Sequence, residues 1–390
     1  MKKCFAFIFA LCAVIAASAQ ELDWNVDFQY LFNNCEYDAS HNVWDPSCTL
    51  NAARITPTVG VRLEQNPHVH HHLMLGLDFY KNMGEGVRPD NLAREMTLYY
   101  DVDAFFRNGG RFNAIAGMYP RTFLEGDWRG PFFDDALLFT DNNMEGMAFK
   151  YRNRGKYAEI GLDWMGMLGD TENPMRRERF QVLSSGDWAF LGPFHFGWRA
   201  SFYHFANSVV CRNVVDNHMV NPWLEWRPST WFEDFSVKLG FVGSYQRDRR
   251  TMDEAVLCGG FLTQQRLSKW HFGIDNSFYY GADLMPLYEN SNSGIQFGRE
   301  LYFGEECYHT MMDGSSWCDQ LALYYEPYVN KCMRVVVASV FHFGQKTSQP
   351  VLRGSQQIVS LRVNLDKLRP QPTPWKTAGD AIREFFFGRS

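Results

Sequence analysis

Four neighbouring histidines, His68, His70, His71 and His72, are the side chains whose spacing first suggests metal chemistry. In a strand, adjacent side chains point to opposite faces, so His70 and His72 would share one face. A structural zinc site takes about four ligands, and no cysteine or carboxylate lies at a spacing that completes such a set. We therefore expect no metal and no cofactor, and we interpret the histidines as a polar turn.

Enzymatic chemistry has equally little support. The sequence has no Gly-x-Ser-x-Gly elbow and no His-Glu-x-x-His pair, and it has neither a phosphate-binding loop nor a dinucleotide fingerprint. Serine, histidine and acidic side chains are common, so a membrane hydrolase is a minor alternative. We expect a protein that is not an enzyme.

The most regular pattern is a series of acidic and basic residues at alternate positions of otherwise apolar stretches. Charges of both signs on one strand face are tolerated when that face lines a water-filled interior. The alternative is a closed interior filled with salt bridges. The pore-lining candidates are Arg62, Asp78, Asp101, Asp103, Arg199, Arg334 and Arg362, and further charged residues of this kind are Arg54, Glu95, Glu159, Asp163, Lys238, Asp275 and Glu326.

Strands must position these charges, and the stretch 53–80 shows how. Apolar residues alternate with polar ones from Ala53 to Leu63, a short Asn-Pro-His break follows, and the alternation resumes from Leu73 to Phe79. This period of two predicts two antiparallel strands, each with one apolar face. The unit recurs until about residue 365 and predicts about sixteen strands.

Three prolines count against a closed sheet. Pro57, Pro222 and Pro327 lack the backbone N–H that a ladder needs, and a closed barrel has no free edge to accommodate them. We place all three near strand ends, where the cost is smaller.

Composition favours a membrane barrel over a soluble fold. Aromatic residues make up 16% of the chain, with 12 Trp and 18 Tyr, while the mean hydropathy is negative. Beyond the N-terminal stretch, the sequence has no run of about eighteen apolar residues that could form a membrane-spanning helix. A transmembrane antiparallel β-barrel explains both observations, because its strands alternate and aromatic girdles mark both membrane interfaces.

The first residues resemble a secretory signal. Lys2 and Lys3 precede an apolar run, and Ala17-Ser18-Ala19 forms a small-residue cleavage site. We therefore predict a signal peptide over 1–19, an outer-membrane β-barrel over 20–368 and a periplasmic tail over 369–390. Loss of the two lysines takes the formal net charge from −6 to −8, which argues against a nucleic-acid partner.

Seven cysteines remain in the mature chain, and an oxidising compartment permits disulfides. Cys35 and Cys48 flank one predicted loop, and Cys307 and Cys318 flank another. Each pair is a candidate disulfide, with free thiols as the alternative, because pairing cannot be deduced from sequence.

The connections between predicted strands alternate in length. Those after odd-numbered strands are mostly long, and those after even-numbered strands are mostly short. Bacterial outer-membrane barrels have short periplasmic turns and longer extracellular loops. An even strand count with this asymmetry puts both termini in the periplasm.

With these features, the chain resembles porin-type outer-membrane β-barrels. The Ser18-Ala19-Gln20 junction, the 117–121 stretch Gly-Met-Tyr-Pro-Arg and the 163–166 stretch Asp-Trp-Met-Gly are similar to uncharacterised barrels of Bacteroidota. Such barrels often end on an aromatic strand residue, whereas this last strand ends near Leu368 and a tail follows.

The resemblance also implies a role for the third long loop, 121–143, because the comparable porin loop folds into the lumen. Its acids would then face Arg62, Arg199 or Arg334 across the pore, and a solvated surface loop is the alternative. The constriction-loop candidates are Arg121, Glu125, Asp127, Arg129, Asp134 and Asp135.

These observations predict a channel in the cell outer membrane that allows passive diffusion of small hydrophilic solutes. One alternative is a non-conducting structural or binding barrel whose loops or Phe-rich tail engage a partner. A third hypothesis is a soluble, secreted β-sandwich that binds glycans. The alternation of long and short connections does not favour it. Expected partners are outer-membrane lipid, small solutes and, as an open alternative, further copies of the chain.

Overall fold

The computed structural model describes residues 21–37, 47–86, 92–290, 295–309, 316–330, 332–344 and 351–365. Within these ranges the chain forms one closed antiparallel barrel of sixteen strands, as the alternation predicts. The strands are β1 Glu21–Tyr37, β2 Cys48–Asn66, β3 Val69–Asn82, β4 Ala93–Phe105, β5 Arg111–Pro120, β6 Asn143–Asn153, β7 Lys156–Gly166, β8 Arg179–Leu191, β9 Phe194–Phe205, β10 Val215–Trp226, β11 Asp234–Asp248, β12 Val256–Lys269, β13 Phe272–Gly281, β14 Trp317–Val329, β15 Met333–Gly344 and β16 Leu352–Asn364.

Pairing of the first and last strands closes the barrel. The register of β1 with β16 runs from Asp27 opposite Asn364 to Tyr37 opposite Gly354. Each strand has one face inside the barrel and one outside it. In β3, for example, Met74 and Asp78 are buried inside while Leu73 is exposed outside, which confirms the predicted faces of this strand.

The connections sort by length as predicted. Those after even-numbered strands, at what we call the short-turn end, have two to seven residues, and those after odd-numbered strands, at the loop end, have seven to thirty-five. The loop end therefore carries nearly all the chain that could cover or enter the barrel. No helix in the part of the chain that the structure describes is long and apolar enough to cross a membrane.

The placement of the prolines was wrong for two of the three. Pro57 and Pro222 lie in the middle of β2 and β10, and the ladder on one side of each is interrupted. The β2–β3 pairing skips from Ile55 to Thr58, so the missing N–H falls where no bond is made. Pro327 lies near the end of β14 beside a register shift, as expected.

Two connections at the loop end fold into the barrel. The first inserted segment, 121–142, contains the short helix Asp135–Thr140. The second, described over 282–290 and 295–309, contains two single-turn 3₁₀ helices. Their apolar side chains pack on inward-facing wall residues such as Leu183, Val242 and Leu262, and all belong to one buried cluster. The segments contribute Leu124, Trp128, Phe132, Phe133, Leu284, Met285, Tyr302, Cys307 and Tyr308 to it.

Candidate channel interior

Wall side chains hold the first inserted segment by its backbone. The Glu159 carboxylate on β7 accepts hydrogen bonds from the N–H groups of Glu125 and Gly126, both at 2.8 Å, and from the Ser185 hydroxyl at 2.6 Å. Arg54 on β2 donates to the carbonyls of Phe139 and Thr140 at the other end of the segment. A segment tied at both ends by charge-assisted bonds is a fixed part of the interior.

Arg121 anchors the start of the first inserted segment. Its guanidinium is almost fully buried and forms ion pairs with Asp141 at 3.0 Å and with Asp163 of β7 at 3.1 Å. Burial alone would favour the neutral form, but these two carboxylates raise the pKa of Arg121 above its ordinary value. Arg121 therefore stays charged and links both ends of the segment to the wall.

The two inserted segments also bind each other. The Asp134 N–H donates to the Phe303 carbonyl at 2.8 Å, and the Glu305 N–H donates to the Gly130 carbonyl at 2.9 Å. Arg299 of the second segment pairs with the Asp134 carboxylate at 2.6 Å. The segments thus form one body, whose apolar cluster packs against inward-facing residues of strands from β5 to β14.

The predicted ion partners of the first segment are mostly wrong. Glu125 pairs with Lys150 and Arg152 of β6, and Asp135 pairs with Arg129 within its own segment at 3.1 Å. Only Asp127 lies beside a predicted partner, because Arg199 donates to its backbone carbonyl. Partner choice depends on where the segment lies along the wall, which alternation does not specify.

A cavity of about 440 Å³ remains beside the inserted body. On the wall it extends from Asp234 and Arg266, near the short-turn end, to His342 and Gln356, in the loop-end halves of β15 and β16. The inserted segments supply Asp127, Arg129, Asp135 and Glu305, and β10 to β16 supply the rest, including Lys238, Gln264 and Gln320. A polar, mixed-charge space therefore runs along one side of the barrel.

The pKa values of two acids in the inserted segments are shifted in opposite directions beside this cavity. Burial opposes ionisation of Asp127, but the cations Arg129, Arg199 and Lys238 hold its pKa below the ordinary value. Burial and the neighbouring Asp135 raise the pKa of Glu305 to about 8. At neutral pH, Asp127 therefore carries a charge and Glu305 is mostly protonated.

The predicted pore-lining residues all lie on inward faces, but most are paired along the wall, away from the cavity. Asp78 pairs with Arg54 at 2.8 Å in the loop-end half, with both side chains almost fully buried. At the short-turn end the pairs are Arg62 with Glu64, Asp103 with Arg111, Arg334 with Glu326 and Arg362 with Asp27. Arg199 alone among them reaches the inserted segments, and Asp101 lies beside Asp103 and His72.

Of the four histidines, only His68 lies in the turn that we expected, because β3 begins at Val69 and contains the other three. His70 and His72 point inward, where His72 binds Asp23 at 2.8 Å, and His71 points outward against the Tyr100 ring. Among the residues described, no group of three metal-ligating side chains could hold a metal ion.

The cysteines are thiols in this structure, and their pairing remains a prediction. Cys35 lies directly opposite Cys48 in the β1–β2 register, and the buried Cys307 thiol is hydrogen-bonded with that of Cys318. Both predicted pairs are therefore neighbours, which the sequence alone could not establish.

Sequence reasoning missed the second inserted segment. The alternation predicted it only as one of the long connections, although Leu284, Met285, Tyr302 and Tyr308 are too apolar for a solvated loop. Their full burial shows that this composition was the available signal.

The closed antiparallel barrel with sorted connections and inserted loops defines a fold of the outer-membrane porin type. The sequence matches no protein-family model and no curated protein. Among solved structures, the chain is similar to a loop-deletion mutant of OmpT, an outer membrane protein of Vibrio cholerae. That similarity has a TM-score of 0.50 at 11% identity and covers 88% of this chain and 99% of that one.

Two further solved structures are similar over the same extent. One is OmpF of Salmonella typhi in complex with daunomycin, with a TM-score of 0.48, 12% identity and coverage of 89% and 98%. The other is an anion-selective porin from Comamonas acidovorans, with a TM-score of 0.48, 10% identity and coverage of 88% and 98%.

Proposed function

We propose that this protein is a porin-like channel of the cell outer membrane for passive diffusion of small hydrophilic solutes. The observation that carries the proposal is the polar cavity that runs along the β10–β16 wall beside the inserted body. In this account the passage is off-centre, because the inserted body and its apolar cluster occupy much of the remaining interior.

The outward surface supports the membrane part of the proposal. Leu224, Leu239 and Phe261 are exposed on the outer faces of β10 to β12, and Trp231 and Trp270 are exposed at the short-turn end. An apolar band bordered by aromatic side chains suits a lipid bilayer and its interface. By the loop rule, the short-turn end would face the periplasm, and lipid would be the main partner.

The charges in the passage suggest what it admits. Arg129 and Asp135 form an ion pair at 3.1 Å, with 64% and 38% of their side chains exposed to the cavity. Amide side chains of Gln264 and Gln320 lie on the wall. Opposite charges held in a confined space favour hydrated polar solutes over apolar ones and act strongly on ions.

The runner-up function is a non-conducting structural or binding barrel. The size of the apolar cluster around the inserted segments favours it, since that cluster occupies much of the interior. The Phe385–Phe387 tail, a candidate partner-binding stretch, lies outside the described residues.

Recordings in planar bilayers separate the two functions. We expect purified protein to conduct, and Asp134→Asn combined with Asp135→Asn to move the reversal potential in a salt gradient toward anion preference. Glu254→Gln, which removes an exposed acid from the β11–β12 loop, is the matched control and should not shift it.

Unchanged selectivity with normal conductance would show that these acids do not border the ion path. The absence of conductance in every variant would favour the non-conducting barrel.

A further inference from the structure

A second cavity, of about 730 Å³, opens at the loop end on the other side of the inserted body. It is lined by both inserted segments, by residues of β4, β6, β7 and β8, and by the β7–β8 loop. It shares no lining residue with the passage described above. Cavities of this size suit ligands of small-molecule dimensions.

One edge of this cavity is acidic and incompletely neutralised. Glu95 of β4 and Glu145 of β6 line it, and neither has a basic group within ion-pair distance among the described residues. Asn143 lies with them and is only 4% exposed. Its amide nitrogen donates to Glu95, while its Oδ1 is buried without a hydrogen-bond partner in the described part of the chain.

A buried amide oxygen without a donor is costly, so this edge calls for a ligand that brings N–H groups. The carboxylates beside it favour a positive ligand. A bound metal ion fits poorly, because no three acidic, histidine or cysteine side chains in the described residues converge on one point. An ammonium group can instead share its donors between separated acceptors.

The opposite edge of the same cavity is basic. Arg176 of the β7–β8 loop and Arg179 of β8 line it, and no carboxylate lies within ion-pair distance of either among the residues described. Arg177 is already committed to the carbonyls of Ala206 and Asn213 and lies 3.9 Å from Glu300. The guanidinium groups of Arg176 and Arg179 are therefore suited to bind the carboxylate of a ligand.

The distance between the acidic and basic edges limits the length of the ligand. Neighbouring strands lie about 4.8 Å apart, so β6 and β4 lie roughly 10 Å and 19 Å from β8 around the wall. An extended chain spans about 3.3–3.6 Å per residue, so about three to five residues bridge the two edges. Leu137 and Phe303 add apolar contacts for side chains between them.

We propose that this loop-end cavity is a binding site for short peptides with free termini. The ammonium group lies against Glu95, Glu145 and the Asn143 amide oxygen, and the carboxylate lies against Arg176 and Arg179. The proposal does not depend on conduction, because a barrel that conducts nothing could still bind a peptide here.

Calorimetric titration of the purified full-length protein tests this assignment with three probes. Tetra-alanine has both charges, N-acetyl-tetra-alanine lacks the positive one, and tetra-alanine amide lacks the negative one. We expect tetra-alanine to bind and each blocked peptide to bind about tenfold more weakly or worse, because each loses one charge-assisted contact. Absence of binding, or equal binding of all three, would overturn the proposal.

Paired variants then assign each terminus to its edge. Glu95→Gln with Glu145→Gln should remove the difference between free and N-acetylated peptide while the preference for a free carboxylate remains. Arg176→Gln with Arg179→Gln should do the reverse, and Glu254→Gln should change neither. Heat-modifiable migration on gels confirms that each variant is folded. Loss of both preferences in one folded pair, or of neither, would contradict the two-edge site.

Discussion

Glu159→Gln should loosen the first inserted segment without unfolding the barrel. The carboxylate accepts three hydrogen bonds with its two oxygens, two of them from backbone N–H groups of the segment. Glutamine has one acceptor oxygen, so its NH₂ group would face one of those N–H donors. Loss of one bond to a charged acceptor, with one buried donor left unpaired, costs about 2–4 kcal/mol. The equilibrium for release of the segment should therefore rise about 30- to 1,000-fold.

Hydrogen–deuterium exchange over residues 121–130 measures this change directly. We expect faster exchange there in Glu159→Gln and unchanged exchange in distant strands such as β15. The control is Glu326→Gln, which breaks the pair with the largely exposed Arg334 at the short-turn end and should cost less than about 1 kcal/mol. Wild-type protection of the segment in Glu159→Gln would refute the assigned role of this carboxylate.

Three further predictions concern the membrane face, pH and the cysteines. Leu323→Arg places a charge on the outer face of β14 and should lower the free energy of unfolding, measured by folding assays in lipid, by about 2–4 kcal/mol. Ala322→Arg, which faces the cavity, should cost less. Equal costs for the two variants would contradict the assigned faces. Because the pKa of Glu305 is raised to about 8, its negative charge appears as the pH rises, so reversal potentials should move toward cation preference between about pH 7 and about pH 9. Glu305→Gln should abolish that move, and a shift of the same size in this variant would assign it to another group. Peptide mapping without reduction of protein from an oxidising compartment should recover Cys35 joined to Cys48, and free thiols at both positions would end the pairing.

Most of the fold prediction rested on the alternation of apolar and polar residues. In a strand of a membrane barrel, this alternation shows which face lies against lipid and which lies against the interior. It placed Leu73 outside and Asp78 inside, and it predicted about sixteen strands, which is the number in the barrel. It did not locate Pro57 and Pro222 within their strands, because apolar periodicity says nothing about which ladder bonds are made.

The interior was less predictable because it depends on contacts between distant parts of the chain. The entry of segment 121–142 was expected only from resemblance, and its partners Glu159 and Arg54 could be identified only once the segment was located. The second segment required a different signal, namely apolar residues such as Leu284 and Tyr302 in a long connection.

Single-channel conductance of two neighbouring variants of β14 tests the off-centre passage most directly. Ala322 lines the cavity, and Leu323 is exposed on the outer face of the same strand. Wild-type protein should conduct in discrete steps, Ala322→Trp should reduce the step size by filling the passage, and Leu323→Trp should leave it unchanged. A wild-type protein without conductance, or an Ala322→Trp step equal to that of wild type, would contradict a passage along this wall.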